Sequence, residues 1–111
     1  MKTKSLSNPP QAFLEFSAKF PRIAEAWGAL SEAGMTGPLE EKTARLIKLR
    51  ISIANRSEGA THSAVRKARS VGASSEEIHQ VLALAAGTIG LPQTVAAYTW
   101  IHDPQCESTH R

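Results

Sequence analysis

Between residues 11 and 101 the apolar side chains recur at helical spacing, and glycine or proline cuts the pattern at short intervals. A chain punctuated in this way can bury its apolar stripes only as short helices packed on one another. Phe13, Phe16 and Phe20 follow i, i+3, i+7 and mark a first helix over residues 11–19. Pro21 suits the first turn of a second helix, which runs through IAEAWGALSEA and meets a terminating glycine at Gly34. Gly37-Pro38 is a turn signal. The third helix extends from Leu39 to about Asn55. Its first half is amphipathic and its second half is apolar on most sides, which predicts wide burial. The run LRISIA would by itself also suit a strand, but it continues a strong helical pattern.

A fourth helix covers roughly residues 57–71 and ends at Gly72. The fifth starts from Ser74, with Glu77 three residues on, the spacing of a capping box. The stretch Thr88-Ile89-Gly90-Leu91-Pro92 then breaks the chain, and a sixth helix runs from about Gln93 to Ile101. The expected fold is all-α: about six short helices, with residues 1–10 as a flexible leader, 11–103 as a single helical domain and 104–111 as a loose tail.

Composition narrows the function. The 111 residues are 41% hydrophobic and 21% charged, a globular balance. No apolar run approaches a membrane span. The N-terminal MKTKSLSNPPQ has two lysines with no apolar stretch behind them, so it does not read as a secretory signal. The single cysteine, Cys106, cannot form an internal disulfide, and a cytoplasmic setting is expected. The net charge is +3, and the last basic residue before Arg111 is Arg69. Solvated helix faces account for this distribution. A helix-turn-helix reading of residues 86–101 leaves a nucleic-acid-binding helical protein as the third and weakest alternative, because QTVAAYTWIH has no Arg or Lys with which to hold phosphate or read bases. Nucleic acid is therefore not an expected partner.

One spacing carries chemistry. Glu58 and His62 are four apart on the fourth helix and share a face. A carboxylate beside an imidazole raises its basicity and selects its tautomer, which makes an acid–base pair. A surface contact of no consequence has the same spacing. His79, His102 and His110 form no ligand motif with the pair, and HExxH and CxxC are both missing, so no metal is expected. The glycines are spread as helix stops rather than gathered into a phosphate loop, and no cofactor is expected. Cys106 has no base or helix start beside it in sequence to activate its thiol.

The stretch from LEEKTARLIKLRIS through SEGATHSAVRKARSVGASSEEIHQVLALA to GTIGLPQTVAAYTWIHD resembles the carboxymuconolactone decarboxylase and alkylhydroperoxidase D superfamily, over about residues 37–103. The resemblance implies an alkylhydroperoxidase D-like helical bundle. Its peroxidase members carry a Glu, a Cys-x-x-Cys and a His; in register those positions are Arg45, Ser57, Ala60 and Ala64. Peroxide reduction through a dithiol needs an attacking thiolate and a resolving thiol, and Ser57 and Ala60 supply neither. Some cysteine-poor members resemble the Glu58-Gly59-Ala60-Thr61-His62 wording seen here, although the further histidine that often follows is replaced by Ala64.

The resemblance thus implies a protein without dithiol peroxidase activity that binds or acts on a small carboxylate or lactone. His62 would be the base and Glu58 its orienting partner. Ser57 and Thr61 would be polar contacts, and Arg45, Arg50 or Arg56 would meet a carboxylate. The alternative is a non-catalytic oligomeric protein that kept only the packing. Both readings imply self-association, as dimer, trimer or hexamer. Ile78, Val81, Leu82, Leu84, Ala85 and Ala86 on the fifth helix, joined by Val95, Tyr98 and Trp100 on the sixth, are more than one core-facing stripe can hold.

Overall fold

The computed structural model describes residues 10–102, so the loose-tail expectation and nearly all of the leader lie outside the described residues. Among the described residues there are six helices and no strand: α1 (Gln11–Lys19), α2 (Pro21–Met35), α3 (Glu41–Ala54), α4 (Glu58–Ser70), α5 (Ser75–Ile89) and α6 (Leu91–Ile101). They fall into two compact units divided between Leu39 and Glu40.

The first unit holds α1 and α2. Pro21 occupies the first turn of α2, as its fixed φ favours. The Phe16 and Phe20 rings are in tilted contact, with centroids 4.9 Å apart. Gly34 does not end α2. The helix continues to Met35, where the Thr36 hydroxyl donates to the Glu32 carbonyl at 2.9 Å and closes the last turn. A side chain thus does the work expected of a left-handed glycine.

The second unit holds α3 to α6. Within it, α3 packs against each of the other three, and α6 also packs against α4 and α5. Its core comprises Leu49 and Ile53 from α3, Val65 and Ala68 from α4, Ala73, then Ile78, Val81, Leu82 and Ala85 from α5, with Ala97 and Ile101 from α6. The LRISIA run is helical. It is buried on one side only: Leu49, Ser52 and Ile53 are enclosed, whereas Ile51, with Ile47 one turn before it, remains exposed on the side that faces α5.

Two helix ends in this unit close alike. After α4, the Ala73 amide donates to the Ala68 carbonyl and the Gly72 amide to Arg69, with Gly72 at φ 97°. After α3, the Ser57 amide donates to Ser52 and the Arg56 amide to Ile53, with Arg56 at φ 57°. Both are Schellman closures, which satisfy the free carbonyls through one left-handed residue. Glycine takes that role without cost in the first, while arginine holds it in the second.

The next helix starts are capped from the side chain. Ser57 accepts the Ala60 amide at the start of α4. At α5 the capping box is complete: Ser74 accepts the Glu77 amide at 3.0 Å and its own amide donates to Glu77 at 2.9 Å. α6 begins two residues before its expected start, because Pro92 fits the first helical turn after Gly90.

Candidate functional site

The first turn of α4 gathers the sequence-derived candidates. Ser57 is its cap, Glu58 its first residue, and Thr61 and His62 follow on the inner side. His62 is 7% exposed, and its Nε2 lies 3.6 Å from Glu58 Oε2, whose side chain is more than half exposed. The His62 Nε2 is shielded from solvent and has no hydrogen-bond partner among the described residues. A half-exposed carboxylate thus lies beside a buried imidazole nitrogen that makes no hydrogen bond among the described residues. Such a nitrogen costs folding free energy, and a catalytic role is one explanation for keeping it.

Thr61 is fully buried. Its hydroxyl donates to the Ser57 carbonyl at 2.8 Å and lies 3.2 Å from the Ser52 hydroxyl on α3. Ser57 and Thr61 therefore spend their polar atoms on the α3–α4 junction. A further residue braces that junction. Gln93 of α6 donates its amide hydrogens to the Ile53 and Ala54 carbonyls, both at 3.0 Å. Nothing in the sequence around Gln93 announced this role, which joins residues some 40 positions apart.

The three arginines separate. Arg56 is the left-handed residue between α3 and α4 and is exposed. Arg45 is half-buried on α3. It adds to the positive field that, after burial itself, lowers the Lys67 ammonium below its ordinary value, together with Lys48 and Arg66. Arg50 points the other way and bonds the Thr88 hydroxyl of α5.

Arg50 also lines a cleft of about 380 Å³ between α3 and α5, walled by Leu46, Ile47, Ile51, Val81 and Leu84. Glu77 reaches it as well, and its carboxylate holds Lys42 at 2.9 Å. The cleft lies on the α5 side of α3, and neither Glu58 nor His62 lines it. Periodicity explains the separation: positions 43, 46, 47, 50 and 51 of α3 share one face, and 49, 52 and 53 another.

The histidines outside α4 do not stay apart. His79 of α5 and His102 at the end of α6 bring their Nε2 atoms within 3.1 Å. Among the described residues no group of three or more His, Cys, Asp or Glu side chains is placed to hold a metal ion, and no helix is long and apolar enough to cross a membrane.

The profile of the carboxymuconolactone decarboxylase family matches residues 21–103. No curated protein sequence matches the chain significantly. Among solved structures, the crystal structure of the apo form of a carboxymuconolactone decarboxylase family protein from Legionella pneumophila is similar at a TM-score of 0.78. It covers 90% of this chain and 88% of that one, at 21% sequence identity. At that identity the likeness concerns the fold alone.

Proposed function

The chain belongs to the carboxymuconolactone decarboxylase family, and from that premise we propose that it handles a small carboxylate or lactone through proton transfer at His62, without dithiol peroxidase chemistry. The observation that carries this reading is the buried, unpartnered Nε2 of His62 set 3.6 Å from the half-exposed Glu58 carboxylate. Loss of carbon dioxide from a carboxylated substrate leaves an electron pair on carbon, and an imidazolium quenches it by delivering one proton. Glu58 faces both solvent and Nε2, so it can return that proton from water to the ring. Arg56, adjacent to this turn, is the cation available for a substrate carboxylate; Arg45 is a second.

The same reading has the chain self-associate in a reducing, cytoplasmic setting. Leu84, Leu91, Val95 and Tyr98 are each half-exposed or more on α5 and α6, which supports burial against further copies.

The test uses a carboxylated γ-lactone as probe. Carbon dioxide release that is lost in His62→Gln and reduced in Glu58→Gln supports the reading. So do amide shifts on lactone binding that centre on residues 57–62. Shifts confined to the α3–α5 cleft, or turnover indifferent to His62→Gln, overturn it. Peroxide consumption with a dithiol donor should not exceed the buffer rate; turnover abolished by Cys106→Ser would refute the non-peroxidase half.

A further inference from the structure

The geometry points to a divalent transition-metal site formed by His79 and His102, independent of the reading of His62. The two Nε2 atoms are 3.1 Å apart although the residues are 23 positions apart in the chain. Metal–imidazole bonds of about 2.0–2.1 Å from two nitrogens at that spacing subtend an angle of about 100° at the ion, between the octahedral and tetrahedral values. The pair therefore already has the spacing of two adjacent ligands on one ion.

The scaffold holds that spacing. His79 follows the buried Ile78 on α5, and His102 follows the fully buried Ile101 on α6, and these two helices pack on each other. Tyr98, one turn before His102, lies with its ring centroid 4.4 Å from that imidazole and 6.1 Å from His79. The phenol ring thus flanks both imidazoles and narrows their rotamers. His79 is exposed and His102 half-buried, so a hydrated ion can reach the pair from solvent.

Without an ion, one ring donates its Nε2–H to the lone pair of the other. With an ion, both Nε2 lone pairs point at the metal, and the donating ring carries its proton on Nδ1 instead. Neutral imidazole suits Zn²⁺, Cu²⁺ and Ni²⁺ rather than Mg²⁺ or Ca²⁺. Two imidazoles fill two of the ion's coordination positions, and the described residues bring no third His, Cys, Asp or Glu to the pair.

Calorimetric titration of the tag-free full chain with zinc chloride tests the site. One saturable site per chain is expected, lost in both His79→Gln and His102→Gln, and retained in Cys106→Ser and His110→Gln. The Cu²⁺-loaded protein should show nitrogen hyperfine structure in its electron paramagnetic resonance spectrum that is diminished in each single His79 or His102 variant. Unchanged circular dichroism of the variants separates loss of ligand from loss of fold. Wild-type protein that binds no zinc, or binding that survives the double His79→Gln, His102→Gln variant, overturns the assignment.

Discussion

The Ser52 hydroxyl on α3 lies 3.2 Å from the Thr61 hydroxyl on α4, and both are buried. Each also reaches a carbonyl of its own segment, Ser52 to Leu49 at 2.8 Å and Thr61 to Ser57 at 2.8 Å. Two hydroxyl protons are therefore shared among three contacts. Thr61→Val should cost about 1 kcal/mol in chemical denaturation, the net worth of an ordinary hydrogen bond. The Ser57 carbonyl keeps its bond from the Thr61 amide at 2.9 Å, which limits the loss. The double variant with Ser52→Ala should cost less than the two singles added, because each removes a competitor for the same protons. Strict additivity would show that the two hydroxyls do not interact.

His62 should be worth more to function than to stability. Its partnerless Nε2 carries a desolvation penalty of about 1–3 kcal/mol. His62→Leu should therefore leave the unfolding free energy unchanged or raise it by about 1 kcal/mol. Glu58→Gln should cost about 0.5 kcal/mol, from the lost negative charge in the first turn of α4. A His62→Leu variant that barely folds would mark the imidazole as structural.

The left-handed position of Arg56 at φ 57° carries a steric cost that glycine does not. Arg56→Gly should stabilise the chain by about 0.5–1 kcal/mol, with the gain partly offset by the freer unfolded chain. Arg56→Val should destabilise it, since a β-branched residue fits that region worst. A thermal midpoint lowered by the glycine substitution would show that the guanidinium, not the backbone, holds the α3–α4 corner.

Glu77 gives folding a dependence on acid. The Ser74 amide first, and then Lys42, hold its carboxyl below the ordinary carboxylate value. A group depressed by folding contributes stability that is complete above its unfolded value of about 4.3 and lost as pH falls through the folded one. Unfolding free energy measured from pH 6 down to pH 3 should therefore fall less steeply in Glu77→Gln than in the wild type. Lys42 is raised by the same partner, so its contribution is complete below its unfolded value and disappears only at more alkaline pH than that. Identical acid limbs for the two proteins would show that Glu77 has no folded-state partner that matters.

Self-association is checked by light scattering at micromolar concentration. A mass that is a multiple of 12.0 kDa is expected, and Leu84→Glu should reduce it, since Leu84 is 63% exposed within one chain. A mass of one chain would remove this part of the proposal.

Helix identity was legible in the sequence because it rests on neighbours within one turn. The i, i+3, i+4 recurrence, the Ser74–Glu77 box, Pro21 in the first turn of α2 and Gly72 at the end of α4 all act over a few residues, and each stands where the spacing puts it. Glu58 and His62 were legible as a pair for the same reason. What local spacing could not decide is which side of each helix is covered. Periodicity divides Ser52 and Ile53 from Ile47, Arg50 and Ile51 on α3, but only the packing of α3 against three neighbours decides that the first face is enclosed and the second lines a cleft. The exposure of Glu58, the burial of His62 and the meeting of His79 with His102 depend on contacts between helices far apart in the chain. Those contacts are selected by the total area and shape buried on folding, which no short stretch of sequence contains.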